Sequence, residues 1–338
     1  MLLQQFAIPY ASLCEEGTQT SEDLPLTLPI SVWKSRRPIL VYYMLALGIS
    51  WTAWIPFGAS QALPLKIPHE AAMFAQYGPS LAAIIVTGAE SGKDGIRKLL
   101  RQLLRWRVGV QWYVFVLLVT PVVLLGVIGL HVLLGANAPD FGNLKVWWVR
   151  FSERQREFSP SIGLLSFFAD FTAKGPWHTL LVFAALAITN GGLSEEFGWR
   201  GYALPRFQTR QSALAASINV GLLWAFWHTG PGFWRVLFTS GIGAFAMLAP
   251  YLVTTLALSI LFTWVYNNTQ SLLLPVLFHA SYNSTVTIVS LVWASPGKLS
   301  LLVAETVLGL WVVALLVVKV YGPARLSRQP MPESRIST

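Results

Sequence analysis

The sequence predicts an all-α membrane protein, a polytopic helical bundle with about eight transmembrane helices. The first observation is composition: of 338 residues, 54% are apolar and 12% are charged, and the mean hydropathy is +0.55. Soluble domains carry about 25% charged residues. This composition therefore excludes a disordered chain, a coiled coil and most soluble enzymes. The second observation is a series of long apolar stretches separated by polar segments.

Eight apolar stretches approach the ~20 residues that a helix needs to cross a hydrocarbon layer about 30 Å thick. They lie at about 39–59, 71–89, 111–135, 178–197, 213–230, 244–266, 272–294 and 300–321. They predict one membrane domain, 39–323, between cytoplasmic tails at 1–38 and 324–338. The longest loop, about 136–177, carries Trp147 and Trp148, and we interpret it as an interfacial flap.

The net charge of +9 comes from 24 Lys and Arg residues against 15 Asp and Glu residues. With the N-terminus inside, sixteen of the 24 basic residues fall on the inner side, which predicts that both termini are cytoplasmic. Topology thus accounts for the basic excess, and no nucleic-acid partner is expected.

We expect no cleaved signal peptide and favour a bacterial inner membrane. The single cysteine, Cys14, excludes an internal disulfide and a cysteine-based zinc site.

Three polar clusters fall in or beside predicted spans, where charged groups are costly and are candidates for function. In the first, Glu196 and Arg200 are four residues apart and share a helix face, so they can form an ion pair. Glu195 points about 100° away from Glu196. The alternative interpretation is that both glutamates lie at a solvated helix end. The clusters are Ser194 to Arg200, Trp224 to His228, and Phe278 to Asn283.

The second and third clusters also have helical spacing. Trp224 and His228 share one face, as do His279 and Asn283. A lone membrane histidine is more often a packing residue, but carboxylate, imidazole and amide groups that converge can supply a general base, a proton partner and an oxyanion donor. The same groups can also bind zinc, so metal-free and metal-dependent chemistry both stay open.

Together the three clusters resemble the type II CAAX prenyl endopeptidase and bacteriocin-processing intramembrane proteases, the CPBP family. The family pattern is EExxxR, then FxxxH, then HxxxN or HxxxD on successive core helices. The resemblance covers about 178–290, and one position departs from it: Trp224 stands where the family pattern has Phe. The matching residues are Glu195, Glu196, Arg200, His228, His279 and Asn283.

The resemblance implies an intramembrane endopeptidase that acts on a membrane-associated peptide or protein. It implies that Glu195 activates the attacking water with help from His228, while His279 and Asn283 stabilise the oxyanion. Glu196, Arg200 and Trp224 are then supporting residues. We favour this glutamic mechanism without a cofactor; a zinc enzyme would use Glu195, His228 and His279 as ligands. Prenylated substrates are not inferred.

Two other classes of function compete with the protease, and one spatial conflict is apparent. Gly78-Pro79 breaks the second span, as in some transporters and proton relays, although no inverted repeat is visible. The third class is a non-catalytic scaffold.

The spatial conflict is that the predicted spans place Glu195 and His228 roughly 20 Å apart in depth. Either the fourth helix continues past Arg200, or the fifth begins after an interfacial segment near 205–216.

Overall fold

The computed structural model describes residues 38–60, 71, 74–136, 138, 178, 181, 184–185, 188–292 and 296–328, and this part of the chain is helical without strands. Helix α4 denotes the continuous helical segment 188–208. The other helices are α1 (Pro38–Ala59), α2 (Gly78–Arg101), α3 (Val110–Leu133), α5 (Ala213–Trp227), α6 (Pro231–Ser240), α7 (Leu248–Thr269), α8 (Leu273–Val292) and α9 (Pro296–Tyr321).

Four segments are long and apolar enough to cross a membrane by length and composition: Pro38–Ala59, Val110–Leu133, Gly232–Thr269 and Leu301–Tyr321. Together with the all-helical architecture, they confirm the predicted class of integral membrane protein. The count of eight spans stays a prediction, as does the orientation of the termini. The N-terminal tail and most of the predicted flap, including Trp147 and Trp148, lie outside the described residues.

Helix α4 carries the first cluster and is irregular along most of its length. Its turns are π-helical at Ile188–Leu193, α-helical at Ser194–Glu196, π-helical at Phe197–Ala203 and α-helical at Leu204–Gln208. The helix continues past Arg200 to Gln208, and α5 begins at Ala213, so the chain follows the first of the two alternatives. π-Helical turns are rare and concentrate at functional sites, so α4 is an unusual carrier for the glutamate pair.

Two glycines let α4 pack directly against the backbones of its neighbours. A Cβ on Gly192 would lie 2.7 Å from the Val276 carbonyl oxygen of α8, and one on Gly198 would lie 2.6 Å from the Pro79 carbonyl oxygen of α2. Real Cβ atoms do not come this close to backbone atoms. Helix α4 is thus held between α2 and α8 at distances that only glycine permits.

Hydrogen bonds from hydroxyl groups to backbone carbonyls tie the helices around this centre. Ser80 of α2 donates to the Leu193 carbonyl of α4 at 2.7 Å. Ser259 of α7 donates to the Ser217 carbonyl of α5 at 2.7 Å. Such bonds satisfy small polar side chains that are shielded from water. Large buried aromatic side chains fill the space between the helices: Tyr42, Trp199, Tyr202, Trp224, Trp227, Phe262 and Phe278.

Candidate active site

Glu196 and Arg200 form the ion pair that their spacing predicts. Arg200 Nη1 donates to both carboxylate oxygens of Glu196, at 3.1 and 3.0 Å, and both side chains are fully buried. Glu195 is also buried, at 4% exposure. The interpretation of these glutamates as a solvated helix end is therefore wrong. Buried charges persist only when they are paired or hydrogen-bonded, which identifies a built site.

His279 of α8 lies between the two glutamates. Its Nδ1 atom donates to Glu196 Oε1 at 2.9 Å, and its Nε2 atom lies 3.9 Å from Glu195 Oε1. The first distance is a hydrogen bond, whereas the second is beyond hydrogen-bond range. The third cluster thus meets the first one through a single imidazole ring whose two nitrogens face different carboxylates.

Two indole groups bind the other oxygen of Glu195. Trp199 Nε1 donates to Glu195 Oε2 at 3.2 Å from one turn further along α4, and Trp224 Nε1 donates to the same atom at 2.5 Å from α5. Trp224 was predicted as a supporting residue. Trp199 was not singled out, although its position four residues after Glu195 places it on the same helix face.

Arg200 is held by aromatic faces as well as by Glu196. Its guanidinium carbon lies 4.7 Å from the ring centre of Trp224 and 4.6 Å from that of Phe262. Within the described residues, its Nε and Nη2 atoms have no hydrogen-bond partner. Desolvated cation–π contacts of this kind contribute about 2 kcal/mol. They offset part of the cost of burying the guanidinium.

His228 caps the end of α5 at the edge of the site and is half-buried. Its Nδ1 atom donates to the Trp224 carbonyl at 2.9 Å, and its ring stacks on Tyr251 with centres 4.9 Å apart. Among the described contacts, no hydrogen bond or ion pair joins His228 to Glu195. The two residues are connected instead through Trp224, whose ring centre lies 5.7 Å from that of His228.

Asn283 lies beside His279, facing α4 across a glycine. A Cβ on Gly191 would lie 2.5 Å from Asn283 Nδ2 and 3.1 Å from His279 Nε2. The side chains of His279 and Asn283 therefore point to the same part of α4, as their spacing predicts. Gly191 was not singled out from the sequence, because its importance depends on how closely α8 packs against α4.

The described residues include no group of three or more His, Cys, Asp or Glu side chains placed to hold a metal ion. Of the three proposed zinc ligands, Glu195 has one oxygen bound by two indoles, and His228 has its Nδ1 atom bound to a carbonyl. Among the described residues, Glu195, His228 and His279 are not grouped as a three-ligand metal site.

Two comparisons with known proteins bear on this site. Residues 176–285 match the family model described as Type II CAAX prenyl endopeptidase Rce1-like. A curated protein named CAAX prenyl protease 2, from Methanococcus maripaludis, is 28% identical over 134 residues, which are 37% of this chain and 46% of the relative. The chain spans about half the length of this relative.

The matched segment extends from before α4 into α8, and it therefore includes every candidate site residue from Glu195 to Asn283. The comparisons confirm the resemblance to this protease family over that segment. These comparisons favour the protease hypothesis over the transporter and scaffold hypotheses. They leave the type of peptidase, glutamic or metallo, unspecified.

Proposed function

We propose that the protein is an intramembrane endopeptidase that hydrolyses a peptide bond of a membrane-associated peptide or protein. The observation that carries the proposal is the buried contact of Glu195 with His279, with Oε1 of Glu195 3.9 Å from His279 Nε2. A carboxylate oxygen free of direct hydrogen bonds beside an imidazole can bind a water molecule and take its proton.

Glu195 is the general base in this proposal. Its Oε1 atom accepts a proton from water while the water oxygen bonds to the substrate carbonyl carbon. The resulting tetrahedral intermediate carries an oxyanion. When the C–N bond breaks, the leaving nitrogen takes the proton from Glu195, and the products are an amine and a carboxylic acid, which then releases its proton to water. His228, at the half-buried edge of the site, assists proton movement through its Nε2 atom.

His279 and Asn283 stabilise the oxyanion. The Asn283 amide is a neutral donor, and it lies beside His279 against Gly191. His279 Nδ1 donates to Glu196, so Nε2 donates to the oxyanion only when the ring is doubly protonated. Glu196 and Arg200 hold the imidazole ring in place.

The proposed enzyme is of the glutamic type and needs no metal. The carboxylate oxygens of Glu196 are bound by Arg200 and His279, and Glu195 Oε2 is bound by two indoles. Within the described residues, three of the four carboxylate oxygens are thus bonded inside the protein, and Glu195 Oε1 is left to bind water. An amide such as that of Asn283 is also a poor zinc ligand and a good oxyanion donor.

The substrate class is tested with two sets of peptides. The first set is chosen because the curated relative is named CAAX prenyl protease 2. One set carries prenylated CAAX C-termini, and the other consists of unprenylated membrane-spanning peptides. Detergent-solubilised protein is incubated with each, and new termini are identified by mass spectrometry. We expect cleavage that Glu195→Gln abolishes and Glu305→Gln retains, since Glu305 pairs with His131 outside the site.

Cleavage of neither set by the wild-type protein would contradict the proposal, as would equal cleavage by the wild-type protein and the Glu195→Gln variant. The proposed cellular setting is a bacterial inner membrane. The distribution of basic residues supports the proposal that both termini lie in the cytoplasm.

A further inference from the structure

Trp199 and Trp224 approach Glu195 from two different helices and donate to the same atom. The Nε1 atoms of Trp224 and Trp199 lie 2.5 and 3.2 Å from Glu195 Oε2. Both indoles are buried, with exposures of 0% for Trp199 and 1% for Trp224. Water therefore does not compete for these bonds.

The two donors make the oxygens of Glu195 unequal. A carboxylate oxygen has about two lone-pair directions, and two N–H groups occupy those of Oε2. Among the residues that the structure describes, none donates a hydrogen bond to Oε1, which faces His279 Nε2. Turning the carboxylate out of this orientation would break both indole bonds in a buried environment, which is costly.

We propose that Trp199 and Trp224 form an indole clamp, a pair of positioning residues that fixes Oε1 as the atom which takes the proton from water. This inference rests on the proposed peptidase function and adds a role for both indole N–H groups. The resembled family pattern has Phe at the position of Trp224. A phenylalanine there would fill much of the same space but would have no N–H group to donate to Glu195.

Trp224 also connects the other members of the site. Its ring lies beneath the Arg200 guanidinium and 5.3 Å from the ring centre of His279. Its backbone carbonyl accepts the Nδ1–H of His228. A substitution of Trp224 by Phe keeps an aromatic ring and this carbonyl, so it removes the indole bond with little other change.

The kinetic test compares Trp224→Phe and Trp199→Phe with Trp227→Phe as a matched control. Trp227 lies on the same helix, is 2% exposed, and donates its indole N–H to Ser50 Oγ at 2.8 Å instead of to Glu195. Loss of a hydrogen bond to a charged group corresponds to about a 10-fold to 100-fold change in rate. We expect this loss in kcat for Trp224→Phe and Trp199→Phe, with KM within about twofold of wild type.

The control should keep kcat within about twofold, because the lost N–H bonds to Ser50 and not to Glu195, while an aromatic ring stays beside Trp199 and His228. A kcat near wild type in both clamp variants, or a change confined to KM, would overturn the proposal. If Trp224→Phe does not fold, Trp199→Phe decides the outcome, since it removes the weaker donor from the same oxygen.

A spectroscopic test needs no turnover and separates this inference from the peptidase proposal. Ultraviolet resonance Raman spectra report the strength of hydrogen bonds donated by indole N–H groups. Glu195→Gln replaces a charged acceptor with a neutral one, so we expect a shift of the N–H-sensitive indole band toward weaker bonding. The same substitution made in a Trp199→Phe/Trp224→Phe background should give no shift.

An unchanged band on Glu195→Gln in the otherwise native protein would refute the clamp. A shifted band in a protein that cleaves no substrate would leave the clamp in place and reject the peptidase proposal instead.

Discussion

Gly191→Ala tests how closely the oxyanion donors pack against α4. A Cβ at this position would lie 2.5 Å from Asn283 Nδ2 and 3.1 Å from His279 Nε2, whereas ordinary contacts begin near 3.4 Å. The Asn283 amide must therefore move by about 0.9 Å, and the His279 ring by about 0.3 Å, if the helices stay in place. The amide is at the end of a side chain, so it can move at little cost in stability.

The expected result is a large loss of rate in a folded protein. A displacement of about 1 Å in a catalytic group can cost about 10²-fold in rate, and we expect this loss in kcat for Gly191→Ala. Asn283→Ala should lose about 10²-fold to 10³-fold on its own, as when one oxyanion donor is removed. The double variant should be little slower than Asn283→Ala, because the amide that moves most is already absent and only the smaller shift of His279 is left.

The assay is steady-state cleavage of the identified peptide by detergent-solubilised protein, with thermal unfolding measured in parallel. Gly126→Ala is the matched control, since a Cβ there meets no atom within 4 Å. If Gly191→Ala matched Gly126→Ala in kcat, the Asn283 amide would not act at the position that the structure gives it. If the two losses multiplied in the double variant, Gly191 would affect the rate by another route.

Three further predictions concern the ion pair, metal content and topology. Glu196→Gln should lower stability by about 3–5 kcal/mol, measured by chemical unfolding in detergent, because it leaves buried Arg200 without its counter-charge; a stable but inactive Glu196→Gln beside an active Glu195→Gln would reverse the two roles. Elemental analysis of the purified protein should find no stoichiometric metal, and one equivalent of zinc whose removal and return control activity would establish a metalloprotease. Reporter fusions at residues 30 and 330 should give cytoplasmic signals, and an external signal from either would overturn the predicted orientation.

The parts of the site that could be predicted from the sequence depend on spacing within one helix. The Glu196–Arg200 pair and the shared face of His279 and Asn283 each follow from residues four apart. The fold class follows from hydrophobic length and composition, which are local properties of the chain. The match of the family model to residues 176–285 agrees with the resemblance drawn from these short patterns.

The parts that could not be predicted depend on contacts between helices. The indole of Trp224 reaches Glu195 across 29 positions in the chain, and no spacing rule specifies such a contact. The Gly191 contact with Asn283 likewise depends on the distance between two helix axes. The predicted fourth span ends at about residue 197, whereas α4 continues to Gln208 through π-helical turns, which the hydrophobic pattern does not reveal.

The central claim, that Glu195 is the base that activates water without a metal, is tested most directly by one measurement. Wild-type protein and the Glu195→Gln variant, both treated with a strong chelator and freed of metal, are compared for single-turnover cleavage of the same peptide. We expect full activity in the treated wild-type protein and a loss of about 10²-fold to 10⁴-fold in Glu195→Gln. Equal rates for the two proteins, or activity that vanishes from the treated wild type and returns with zinc, would contradict the claim.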